Sequence, residues 1–309
     1  MTPLVSIVIP VYNGADFLRE AIDSALAQTW PNVEVLVVND GSTDGGATEA
    51  IAKSYGGRIR YFSKPNGHVA SALNFGIRQM AGPYFSWLSH DDLYKPGKIA
   101  AQMEALGRLG GDTVVYGDFE ILEQASGALT PVRLPDVPSA HFRHYITLNS
   151  AIHGCTLLVP KRCLDACGQF DESLRTTQDY DLWFRIAGRF RFVHLPGIVV
   201  TSRHHAAQGT NALRDVAAIE CDRLRVGFVR ALTDGEVAAA AGTSAPRAYL
   251  GMAARLQGLG FSEARSAALE RARAAAGHRS RLARFALEAE AALAFWARPH
   301  LARLRRWIG

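Results

Sequence analysis

A chain of 309 residues, 48% hydrophobic and 20% charged, has room for one large globular domain or for one domain with a helical appendage. Its four cysteines, Cys155, Cys163, Cys167 and Cys221, form no CxxC pair, and their spacing suits neither a zinc site nor a dense disulfide framework. The net charge of +5 is uneven: Ala245–Gly309 holds twelve Arg against four Glu, a net +8, and the remainder is mildly acidic at −3.

The first residues, Met1-Thr2-Pro3-Leu4, lack the basic and apolar regions of a signal peptide, and no apolar run is long enough to span a bilayer. A reducing cytoplasm is the expected setting. Leu4 to Tyr12 (LVSIVIPVY) is a β-branched run and predicts a buried strand. Asn13-Gly14 predicts a turn, and Asp16 to Ala27 carries helical apolar spacing. Val33 to Val38 predicts a second buried strand. Thr43 or Asp44 then caps a helix that runs to about Ser54. Ile59 to Phe62 predicts a third strand, Val69 to Met80 a helix ended by Gly82-Pro83, and Tyr84 to Leu88 a fourth strand. A helix over about Pro96 to Leu109 follows, then short strands at Val114–Gly117 and Phe119–Leu122. Gly127 to Ser139, with three prolines, predicts a loop. A helix within His141–Ser150, a strand at Cys155–Val159, a helix at Tyr180–Ala187, a strand at Phe190–Val200 and Ala-rich helix from about Ala212 complete the chain. Strand–helix alternation with short links predicts an α/β fold with a mostly parallel sheet and right-handed crossovers.

Four segments carry polar chemistry at element ends. The fourth strand finishes in Ser89-His90-Asp91-Asp92, which puts two adjacent carboxylates at the rim where open α/β sheets bind ligands. Such a pair repels unless a cation intervenes, and Mg²⁺ or Mn²⁺ carrying a diphosphate suits these hard oxygens. A polar turn with a helix cap is the plainer alternative. Pro10-Val11-Tyr12-Asn13 ends the first strand with an aromatic ring and backbone groups able to hold a planar base. Asn39-Asp40-Gly41-Ser42-Thr43-Asp44 ends the second with a carboxylate able to take hydrogen bonds from a base or ribose; taken alone, a strand end with an Asn-Gly turn is the better reading of the first, and an Asp-Gly turn with a helix cap explains the second equally well. No GxGxxG follows the first strand and no GxxxxGK[ST] occurs, so a bound diphosphate needs another source of positive charge. Gln178-Asp179-Tyr180-Asp181 opens a helix with two acids; either Asp179 or Asp181 can satisfy the macrodipole, which leaves one free for chemistry, and Asp179 is a candidate general base. Arg203-His204-His205 combines a phosphate-pairing guanidinium with potential metal ligands. His153 and Trp183 read as structural, the latter as core.

In this order the segments resemble the family 2 glycosyltransferases of the GT-A fold, over roughly residues 4–211. SIVIPVYN (6–13), VVNDGSTD (37–44), Asn66-x-Gly, Asn74, LSHDD (88–92), GQFDESL (168–174), QDYDLWFRIA (178–187) and Arg203, His205, Gln208, Thr210 in an R-x-H-x-x-Q-x-[S/T] pattern carry the likeness. The resemblance implies inverting transfer from a nucleotide-diphospho-sugar to a glycan or lipid-linked acceptor. It implies donor contacts from Pro10, Val11, Tyr12, Asn13, Asp40, Asn66, Asn74, Asp91 and Arg203. Asp92 and His205 are implied as ligands to Mn²⁺ or Mg²⁺, Asp179 as base, and Arg203 with His205 as part of a loop closing over the diphosphate. Two departures stand out: Ser89 replaces an acid before the metal carboxylate, and Gln178 replaces the acid beside Asp179.

The resemblance implies a catalytic domain over 1–211, and composition and charge predict a basic helical region over 212–309. Aromatics interleaved with Arg in Phe295–Trp307 suit a helix lying on an anionic membrane, which predicts peripheral attachment at the inner face of the cytoplasmic membrane. A helical bundle with a solvated basic face is the alternative. Nucleic acid is not expected, since no reading motif accompanies the charge. A non-catalytic nucleotide-sugar-binding or scaffolding protein remains the competing functional class. A nucleotidyltransferase would want a Gly-rich basic loop where Tyr12-Asn13-Gly14 stands.

Overall fold

The computed structural model describes residues 2–205, 208 and 213–277. Two compact units divide the chain: residues 1–142 with 151–217, and residues 143–150 with those from 218 onward.

The first unit is built on two sheets. β1 (Val5–Val11), β2 (Val33–Asn39), β3 (Arg60–Ser63), β4 (Tyr84–Trp87) and the later β8 (Val159–Pro160) form one, in the order β3-β2-β1-β4-β8. All its pairings are parallel except β4 with β8. Every residue of β1 is buried, which is why its sequence is nearly continuous Val and Ile rather than alternating. α1 (Leu18–Leu26) buries Leu18, Ala21, Ile22 and Ala25, a single stripe at helical spacing. α2 (Ala47–Lys53) is entered through Asp44, whose Oδ2 accepts from the Thr48 amide at 2.9 Å. α3 (His68–Gln79) presses Gly76 onto β1: a β-carbon there would lie 2.3 Å from Val8 Cγ1.

The second sheet runs β5-β9-β6-β7, with β5 (Leu93–Tyr94), β6 (Thr113–Glu123), β7 (Leu129–Val132) and β9 (Arg191–His204). β6 and β9 are parallel, with an irregularity at Gly117–Phe119, where Asp118 accepts from the Leu134 and Gly197 amides and faces His194. α4 (Lys98–Leu109) places Lys98 fully inside, its Nζ donating to Ser86 Oγ and Gln102 Oε1 at 2.9 Å each. α6 (Lys161–Cys167) and α7 (Gln178–Ala187) follow β8. Trp183 of α7 is 1% exposed and packs edge-on to Phe170, which meets Trp87 and Phe85 of β4 in the same way. The core reading of Trp183 holds.

The second unit takes most of α5 (Phe142–Leu148) and of α8 (Arg214–Ala231), with α9 (Asp234–Ala241), α10 (Ala245–Gly258) and α11 (Ser262–Ala275). Thr233 and Glu236 close a reciprocal capping box at the head of α9. Buried Tyr249 ties α10 to α11 by accepting from Arg271 at 2.8 Å. No described helix is long and apolar enough to cross a membrane.

Several expected elements differ. The two short strands at 114–122 are one, β6. The loop predicted for 127–139 contains β7, because Leu129–Val132 pairs with the outer half of β6 despite Pro131. The strand predicted at Cys155–Val159 is a 3-10 turn over Gly154–Thr156 followed by two-residue β8. β9 continues past Val200 to His204, held by β6 to its last residue. The segment Phe295–Trp307 lies outside the described residues.

Candidate active site

The carboxyl ends of β1, β2 and β4 gather on one edge of the parallel sheet. Asp40 follows β2 and its amide donates to Val11 O at 2.8 Å, which holds the two strand ends together. Asp40 is buried. Its Oδ1 accepts from Lys64 Nζ at 2.6 Å, and both its oxygens lie within 3.2 Å of the Gly67 amide. Pro10 and Val11 are buried in β1, whereas Tyr12 is 45% exposed and presents its ring at the edge. Asn13, at a left-handed φ of 48°, links the two loops: its amide donates to Ser42 Oγ and its Oδ1 accepts from the Thr43 amide. Gly41 adopts φ +71° against the Asn66 backbone, where a β-carbon would meet Asn66 N at 2.8 Å. Asn66 itself is exposed.

The β4 end supplies the acids. Asp92 is 2% exposed, its Oδ1 accepting the Arg203 amide at 3.0 Å. Burial raises its pKa, opposed by His153, while the neighbouring Asp91 pushes it further up. Asp91 Oδ2 lies 3.1 Å from His205 Nε2, and the His205 ring rests on Phe17. Each carboxylate thus faces an imidazole, Asp91 that of His205 and Asp92 that of His153; carboxylate oxygen and imidazole nitrogen are donor types that Mn²⁺ accepts, while Mg²⁺ prefers oxygen.

Arg203 is not on a loop. It sits in β9, is 5% exposed, and its guanidinium stacks on Phe17 while donating to Asp91 O, Gln124 Oε1 and Glu20 Oε2. Arg203 is therefore outside any closing loop, because strand pairing to β6 continues to His204. Of the rest of the R-x-H-x-x-Q pattern, Gln208 is described and Thr210 lies outside the described residues.

Asn74 is buried on α3 and spends its amide within the protein. It donates to Phe170 O and Glu172 Oε1 and accepts from the Phe170 amide. It holds the loop that precedes α7. Asp179 stands in the first turn of α7, half-buried, with Oδ1 accepting the Tyr180 amide at 2.9 Å. Burial pushes its pKa up to about 6, opposed by backbone hydrogen bonds. Tyr180 Oη meets the Ile152 amide at 2.9 Å, and the adjoining His153 and Cys155 reach Asp92: His153 Nε2 and Cys155 Sγ are each 3.5 Å from Asp92 Oδ2. A chain of contacts thus connects the residue expected as base to the residue expected as metal ligand. The strand and motif reading missed His153 and Cys155 as neighbours of Asp92. Sixty-odd residues separate them, and only the turn at Gly154, packed on the Trp87 ring, brings them in.

Residues 6–145 match the glycosyl transferase family 2 profile. An uncharacterized glycosyltransferase of Rickettsia typhi is 50% identical over 242 residues, 76% of this chain and 74% of the relative. The chain spans only 40% of a longer Rickettsia felis relative of the same description. Staphylococcus aureus TarS 1-349 in complex with UDP-GlcNAc superposes with a TM-score of 0.61 at 17% identity, over 88% of this chain and 90% of that one. The Pyrobaculum calidifontis mannosyltransferase PcManGT in complex with GDP-Man and Mn²⁺ gives 0.61 at 20% identity, over 96% and 82%. The GT-A architecture built on the parallel sheet, and an identity of half the aligned residues to a relative of similar length, lead to one assignment: the chain belongs to the family 2 glycosyltransferases.

Proposed function

We propose that this chain transfers a sugar, with inversion, from a nucleotide-diphospho-sugar to a hydroxyl of a glycan or lipid-linked acceptor. The observation that carries the reading is the carboxyl of Asp179, held at about 6 and linked through Tyr180 and Ile152 to the segment against Asp92. A carboxylate with that pKa is a better base than a free Asp and is still ionised at neutral pH. The nucleotide sugars in the TarS and PcManGT complexes support the choice of donor class.

Pro10 to Asn13 and Asp40 hold the base and ribose, with Tyr12 offering a ring face and Asn66 lining the loop. Asp92 and His205, with Asp91 alongside, would hold Mn²⁺ or Mg²⁺, which would supply positive charge beside the departing diphosphate. Asp179 takes the acceptor hydroxyl's proton as the oxygen attacks the anomeric carbon opposite the leaving group. Arg203 reaches the diphosphate by exchanging Glu20 or Gln124 for a phosphate oxygen, and its amide keeps Asp92 aimed. Asn74 positions the loop before α7 rather than the donor.

A thermal-shift screen of nucleotide sugars with Mn²⁺ tests the donor reading: a cognate donor at about 100 times its Kd adds about 2.7 kcal/mol. EDTA is expected to suppress transfer and Mn²⁺ or Mg²⁺ to restore it; full activity in chelator would remove the ion from the mechanism. Ser89, whose side chain contacts Cys155 instead of supplying an acid, favours one competing reading, a nucleotide-sugar-binding protein without catalysis. Donor stabilisation with no transfer or donor hydrolysis under any metal would support it.

A further inference from the structure

Asp92 has a second group of neighbours that sugar transfer does not use. One donor atom each from Asp92, His153 and Cys155 lies within 4.8 Å of the other two. Cys155 Sγ is 3.5 Å from Asp92 Oδ2. A tetrahedral ion with the usual Zn–S and Zn–O bond lengths holds sulfur and oxygen about 3.5 Å apart. The turn that carries both ligands is pinned at two points: Thr156 Oγ1 donates to His153 O at 2.7 Å, and Gly154 packs so close to Trp87 that a β-carbon would lie 2.4 Å from its ring. Ser89 extends the cluster, with its amide and hydroxyl 3.3 and 3.4 Å from the sulfur. Asp92 and Cys155 are buried, while His153 and Ser89 are half-buried and mark the side from which an ion enters.

We propose that Asp92, His153 and Cys155 form a site for a thiophilic divalent cation, Zn²⁺ by ligand chemistry, with a fourth position left open, and that occupancy there competes with Mn²⁺ or Mg²⁺ for Asp92. One sulfur, one nitrogen and one oxygen are the donors that separate zinc from the hard cations. On binding, the Cys155 thiol releases its proton and the imidazole binds neutral. The two anionic ligands then balance the dication, which makes a buried position tenable. Ser202 Oγ, 3.1 Å from His153 Nε2, and the Cys155 amide, 3.3 Å from Nδ1, already touch the ring. Ligation through Nε2, the nitrogen 3.5 Å from Asp92 Oδ2, displaces the Ser202 contact, and the ring proton moves to Nδ1, which gives up the Cys155 amide. The binding claim stands on these residues alone; the competition claim rests on the proposed role of Asp92 in holding the donor's cation.

Cobalt titration of the chelator-treated full chain tests binding without any donor. We expect a thiolate-to-cobalt charge-transfer band that Zn²⁺ abolishes by displacement. The band is expected to vanish in Cys155→Ser, persist in Cys167→Ser and Cys221→Ser, and require about tenfold more Co²⁺ in His153→Gln. A wild-type cobalt complex lacking the band, no cobalt binding, or a band that persists in Cys155→Ser would overturn the site. His153→Gln, which leaves the sulfur in place, keeps the test open if Cys155→Ser fails to fold: an unchanged cobalt affinity in that variant also overturns it. In transfer assays with Mn²⁺, added Zn²⁺ is expected to inhibit competitively with Mn²⁺. Inhibition independent of Mn²⁺ would overturn the competition claim while leaving the cobalt result intact. A chain that binds cobalt through Cys155 but never transfers sugar would instead count against the proposed function.

Discussion

Asp179 joins two effects of one burial. Its carboxyl titrates near 4 when the chain is unfolded and at about 6 when folded, so the folded state binds the proton more tightly between those values. Its contribution to stability is undiminished below pH 4, declines as pH rises through 6 and stays low above. Asp179→Asn should therefore stabilise the fold at pH 7.5, by at most about 3 kcal/mol and less after solvent screening, seen as a higher melting temperature, while abolishing transfer and sparing donor binding. Near-normal turnover in that variant would remove Asp179 as base. Wild-type turnover should fall about tenfold per pH unit below 6 rather than below 4, read from a pH–rate profile. Asn74 works at a distance. Asn74→Ala leaves Phe170 N and O without their partner and should cost about 2 kcal/mol. It should lower kcat, with the donor's KM changed less than about threefold; a large rise in KM alone would restore Asn74 to the donor site. The polar identity of both residues was legible in the sequence. Their division of labour was not, since it depends on a loop almost a hundred residues from Asn74.

At the scale of elements, the parallel sheet was the clearest signal because strands buried on both faces are written as unbroken apolar runs. β1, β2, α1, α3 and α7 lie within a residue or two of their expected bounds. Errors cluster where partners rather than periodicity decide: β7 and the extension of β9 exist because β6 offers a free edge to each. The contact of α3 with β1 shows the same dependence. Ala normally gains about 1 kcal/mol over Gly inside a helix. At Gly76 the sign should reverse, because the new methyl meets Val8 at 2.3 Å; overpacking of this kind costs about 1–3 kcal/mol. Denaturant unfolding of Gly76→Ala checks this, and a stabilised variant would contradict the packing of α3 on β1.

For the whole molecule, charge is segregated along the chain, with +8 in Ala245–Gly309. A lipid-linked acceptor would place this enzyme at an anionic surface, and each Lys or Arg near such a surface contributes about 1 kcal/mol. Flotation with anionic vesicles should carry the full chain and lose most of it when residues 280–309 are deleted; equal flotation would exclude that segment as the anchor. The sequence by itself determined the α/β class, the order of the sheet's strands in the chain and the carboxylates at their ends, because burial on two faces and turn chemistry are local properties. Tertiary structure alone decided that Arg203 is fixed in a strand, that Asn74 braces a loop, and that Asp92 meets His153 and Cys155. Those outcomes depend on which distant segments share a wall, and no local pattern encodes that distance.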